Sequence, residues 1–61
     1  MKMRHISNAF GKKLLEKGTI IDKVSKQSDN GFVEMISVVW TNGVEFIVVK
    51  VDGNIVEVHG V

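Results

Sequence analysis

The residues of this chain that could do chemistry are few, and their spacing does not assemble them. His5 and His59 are the only imidazoles and stand near opposite ends of the chain. Without an acidic cluster beside them, they read as solvated rim residues rather than metal ligands. There is no Cys, which removes disulfides and cysteine-rich zinc sites together. Two carboxylates acting as acid and base must converge in one pocket. Glu34 and Glu45 share a predicted sheet face but lie at different ends of paired strands. Lys50 and Glu57, diagonal neighbours on adjacent predicted strands, read as a cross-strand ion pair. Ser, His and Asp occur without triad spacing. No glycine cluster precedes a helix, as a phosphate loop would require. Asp52-Gly53-Asn54 lacks the alternating ligands and closing Glu of a calcium loop, and a hairpin turn accounts for it. The expectation is a non-enzymatic protein with no cofactor and no metal.

What remains is binding. The basic residues suggest one form of it, because Lys2, Arg4, Lys12, Lys13 and Lys17 could present a phosphate-facing ridge to nucleic acid. Against that stand a formal net charge of only +1 and a single Arg, the better phosphate fork and base reader. The aromatics Phe10, Phe32, Trp40 and Phe46 do not alternate with basic residues as a base-stacking surface would. Residues 1–26 carry seven of the eight basic side chains against two acids, and residues 27–61 carry Lys50 against five. A basic helix and an acidic sheet are therefore expected.

A chain of 61 residues makes a single domain, residues 1–61. A domain this small buries only about 60% of its unfolded surface, so its own core is marginal. With disulfides and metal set aside, oligomerisation is the remaining way to add buried surface. The start MKMRHISNAF has no apolar stretch after its basic residues and does not read as a signal peptide. The longest apolar runs, 46–49 and 38–40, fall far short of the roughly 20 residues of a membrane span. A soluble, cytoplasmic globule without membrane contact is expected.

The elements follow an αββββ order, an α+β fold with one N-terminal helix packed on a four-stranded antiparallel meander. Ser7 or Asn8 can cap the helix. Ile6, Phe10 and Leu14 form its apolar stripe. Gly18 is expected to end it with a left-handed residue. Gly11 lowers helix propensity but permits close approach to the sheet. Strands are expected at 19–26, 32–41, 44–51 and 54–59, the first a charged edge. Asn42-Gly43 and Asp52-Gly53 have the composition of two-residue type I′ turns.

Two-residue turns set the register, and register sets the faces. They place Ile36, Val38, Trp40, Ile47, Val49, Val51, Val56 and Val58 on a core face, with Trp40 at its rim. The other face receives Val33, Met35, Val39, Val44, Phe46, Val48 and Ile55 among polar residues. Four strands at about 4.8 Å spacing make a sheet about 19 Å wide, and a helix of a dozen residues, about 18 Å long, covers about half of one face. Met35, Val39, Phe46, Val48 and Ile55, with Trp40 at the edge, are thus the expected partner-binding residues. The partner is expected to be a protein: a second copy, through this face or the 54–59 strand, or a larger host protein that the chain modulates or inhibits. Short Cys-free binding proteins of this size are associated with phages and mobile elements. Nucleic acid bound by the basic helix is the alternative.

Overall fold

The structure, a computed structural model, describes the backbone of residues 4–61 and the side chains of residues 7–61. The order is β1 (Arg4–Ile6), α1 (Asn8–Lys17), β2 (Thr19–Ser28), β3 (Gly31–Val39), β4 (Glu45–Val51) and β5 (Asn54–Gly60). One helix followed by four antiparallel strands in an open sheet is the expected fold. The short strand β1 is an addition. It pairs with β5, giving the spatial order β1-β5-β4-β3-β2. The strand expected at 54–59 is therefore covered by β1 at residues 58–60, and only its first half, 54–57, keeps an edge without a paired strand among the described residues. No helix among the described residues is long and apolar enough to cross a membrane.

Local chemistry explains the helix ends. Ser7 Oγ accepts a hydrogen bond from the Ala9 amide at 3.2 Å, satisfying one orphan donor of the first turn. Asn8 Nδ2 reaches across to the Val56 carbonyl at 3.4 Å and ties the helix start to β5. At the other end the Gly18 amide donates to Leu14 O at 2.8 Å, but Gly18 has φ −80° and ψ 170°. This is extended backbone, not the left-handed cap expected. Glycine is needed here for space, since a Cβ would fall 2.4 Å from Val38 Cγ1 and 2.6 Å from Leu14 O.

The two hairpins behave differently, and the difference reorganises the sheet. At Asp52-Gly53 both residues have positive φ (50° and 87°) and Val51 pairs with Asn54, the expected two-residue turn. At Asn42-Gly43 only Gly43 is left-handed (φ 86°). The Gly43 amide donates to Trp40 O at 2.9 Å and the Trp40 amide to Val44 O at 2.8 Å. That is a three-residue loop: a type I turn closed by a left-handed glycine. It moves the β3–β4 register by one residue, so that Val38 faces Phe46 and Ile36 faces Val48. A one-residue slip sends every side chain of a strand to the opposite face. Phe46 and Val48 therefore join Ile36 and Val38, and the expected core positions Ile47, Val49 and Val51 leave it.

A second irregularity restores β5. Lys50 faces Ile55, but Val49 faces Glu57 and Val48 faces Val58, leaving Val56 as an extra, bulged residue. The bulge turns Ile55 and Val58, three apart, to the same side, toward Gly11, and leaves Val56 41% exposed rather than in the core. A Cβ on Gly11 would meet Val58 Cγ2 at 2.8 Å and two Ile55 carbons at 3.3 Å. The core is Leu14, Ile36, Val38, Phe46, Val48 and Val58, with Phe10, Leu15, Trp40 and Ile55 against it. Phe10 stands edge-on to Trp40 and Phe46, with ring centroids 5.1 and 5.3 Å away, a favoured aromatic geometry.

Candidate protein-binding face

The register defines the sheet face that α1 does not cover. Directly opposed residues share a face, so cross-strand rows can be followed across it. One row is Val24–Met35–Val49–Glu57, the next Lys26–Val33–Val51–Asn54. A third runs Asp22–Ser37–Ile47–His59, and a fourth Thr19–Val39–Glu45. The middle of this face is apolar: Val33, Val39, Ile47, Val49 and Val51 are half-buried by one another, while Met35 and Val24 are 47% and 57% exposed. Its margin is mainly acidic, with Asp22, Glu45 and Glu57 against Lys26. No described element lies over it.

The expected partner-binding residues divide across the sheet. Met35 and Val39 lie on the open face. Phe46 and Val48 are buried under α1, 8% and 0% exposed, because the three-residue loop reverses β4. Ile55 and Trp40 also lie on the covered side, packed against the core. The open face instead gains Val24, Ile47, Val49 and Val51. Periodicity favours the opposite reading of β4: Ile47/Val49/Val51 is wholly apolar, whereas Phe46/Val48/Lys50 contains a charge. Lys50 is accommodated where the covered side opens to solvent. There it lines a cleft of about 540 Å³ with Lys12, Glu16, Asn54 and Ile55.

The charged residues also find other partners than spacing suggests. Lys23 Nζ lies 2.9 Å from Glu34 Oε2. Glu57 pairs with His59, Oε1 to Nε2 2.6 Å, rather than with Lys50. Glu34 and Glu45 fall on opposite faces, since Glu34 faces Lys50 and Glu45 faces Val39. His5 and His59, distant in sequence, are register partners across β1 and β5. Among the residues with described side chains, no group of three His, Cys, Asp or Glu is arranged to hold a metal ion.

The basic candidates sit elsewhere. Lys12, Lys13 and Lys17 are exposed on α1, on the opposite side of the molecule from the apolar face. Arg4 lies in β1, and Lys2 is outside the described residues. Three of the four aromatics, Phe10, Trp40 and Phe46, are engaged in the core. No exposed ring on α1 accompanies its lysines. Comparison with known protein families, with curated proteins and with solved structures returned no significant match.

Proposed function

We propose that this chain is a non-enzymatic protein-binding module that acts through its open sheet face, as a homodimer, as a modulator of a larger protein, or as both. One observation carries the reading: Met35 within an apolar field and Val24 at its edge are 47% and 57% exposed. Apolar patches of this kind on small proteins mark interaction sites more often than they stand idle. The acidic margin favours a protein over a polyanion. The test replaces Val49, at the centre of the face, by Lys. Loss of partner capture or of self-association, with an unchanged circular dichroism spectrum, supports the reading. Retention of every interaction argues against it.

Nucleic acid is the second reading, favoured by the exposed Lys12, Lys13 and Lys17 on one helix. Phosphate contacts strengthen steeply as salt falls. A mobility shift of random DNA or RNA at about 50 mM salt, abolished by exchanging these lysines for Glu, would support it; no shift would remove it.

A further inference from the structure

We propose that the free edge of β2 pairs with β2 of a second copy, antiparallel and centred on Val24, so that Asp22 of each chain faces Lys26 of the other. The proposal rests on the protein-binding reading and adds to it a second surface, the sheet edge beside the open face, with a second copy as its partner. β2 ends the sheet, and no described strand pairs with its outer side; the Lys23 amide donates to its neighbour Asp22 Oδ1 at 2.9 Å, a local bond that a second strand would exchange for its own. It is ten residues long, with nine exposed. Edges of this length are normally shortened, covered, bulged, charged or interrupted by proline, because their unpaired N–H and C=O groups recruit other strands; β2 is charged at Asp22, Lys23 and Lys26, so only a strand of complementary charge fits it. Here there is no proline, and the irregularity at Ile21 leaves residues 22–28 in regular register.

Symmetry limits the ways two such edges can meet. An antiparallel pair related by a two-fold axis keeps each face continuous with itself, and opposed residues must share a face. The axis must then pass through a residue position, not between two. Centring on Asp22, Lys23 or Lys26 sets that charge against its own copy. Centring on Ser25 opposes Asp22 to Ser28 and Val24 to Lys26, with no charge paired. Centring on Val24 alone opposes Asp22 to Lys26 twice, on the open face, with Val24 against Val24 between them. Each Lys23 then faces Ser25 of the other chain and is already held at 2.9 Å by its own Glu34. Lys26 makes no ion pair among the described residues and is available to the second copy. The charges of β2 are thus self-complementary in one permitted register, and that register joins the two Val24–Met35–Val49 rows into one wider apolar band.

Sedimentation across the micromolar range, on the full chain, tests this. The wild type is expected to dimerise. D22K and K26D are each expected to weaken the dimer by about tenfold, because like charges then oppose. The D22K/K26D double variant should return to within about threefold of wild type, because it restores both pairs. All four positions changed in the two copies are exposed, and circular dichroism checks that the fold is kept. A second variant is independent of charge: V24C introduces the only thiol of the chain, and oxidation should link 24 to 24 across the axis, whereas V44C should link poorly. A monomer at every concentration overturns the dimer while leaving capture of a different protein, and its sensitivity to V49K, intact. A dimer broken by V49K but indifferent to D22K and poorly linked by V24C overturns the β2 edge and moves the second copy onto the open face.

Discussion

Asp52 and Phe32 hold each other's backbone from both sides. The Phe32 amide donates to Asp52 Oδ1 at 2.9 Å, and the Asp52 amide donates to Phe32 O at 2.9 Å. Asp52 is also the non-glycine residue with positive φ (50°) in the β4–β5 turn. One side chain therefore joins the start of β3 to the end of β4 while occupying a backbone region that few residues tolerate. Replacing Asp52 by Ala removes the acceptor and keeps the strained φ, and is expected to cost about 1–2 kcal/mol. Asp52→Asn keeps an oxygen and tolerates the left-handed region, so it should cost about half as much or less. Urea denaturation of the two variants measures both values.

The register makes opposite demands on Phe46 and Met35. A domain of this length has about 3–9 kcal/mol of stability in total. Phe46→Ser removes a core ring that is 8% exposed and packed edge-on against Phe10, a loss of about 3–5 kcal/mol. It should unfold most of the population. Met35→Ser, at 47% exposure, should stay within about 0.5 kcal/mol of wild type. Thermal melts decide the matter; a stable Phe46→Ser beside an unfolded Met35→Ser would contradict the observed β3–β4 pairing.

Helix propensity and packing disagree at Gly11. An Ala in an exposed helix interior gains about 1 kcal/mol over Gly. Here the added Cβ would meet Val58 Cγ2 at 2.8 Å, and overpacking typically costs about 1–3 kcal/mol. Gly11→Ala is expected to destabilise or, if Ile55 and Val58 give way, to be neutral. Gly18→Ala should cost more, because one of the atoms it meets is the Leu14 carbonyl oxygen at 2.6 Å, which is backbone. Equilibrium unfolding should rank the pair in that order.

Gly43 separates conformational from steric cost. Nothing lies within 4 Å of a Cβ built there, and φ is 86°. Gly43→Ala should therefore cost about 1–2 kcal/mol from backbone strain alone, and Gly43→Asn less. A cost near zero would mean that the loop readily adopts another geometry. Amide chemical shifts of Trp40 and Val44 would reveal that change directly.

The elements were legible because they rest on local chemistry. Ser7 as cap, the Phe10/Leu14 stripe, the turn dipeptides and the β-branched runs each act within a few residues. The short strand β1 was not, since Arg4–Ile6 becomes a strand only through its pairing with β5. The candidate face was half legible. Met35 and Val39 lie on it as expected, because the changed loop reverses β4 and leaves Ile36 and Val38 of β3 facing α1. β4 has two apolar sets: Phe46/Val48 and Ile47/Val49/Val51 each satisfy a strand's alternation.

By itself, the amino-acid sequence determined that this chain forms one helix and an antiparallel sheet with more apolar surface than the helix can cover. Tertiary structure decided which residues are left over. Asn42-Gly43 is compatible with a two- or a three-residue loop, and the longer one puts Phe46 beside Phe10 and Val48 beside Ile36, under α1. The Val56 bulge then returns Val58 to that same side. The physical reason is the two-residue period of a strand: one residue of slip costs the turn little but exchanges an entire face. Only packing across the sheet can choose between the two.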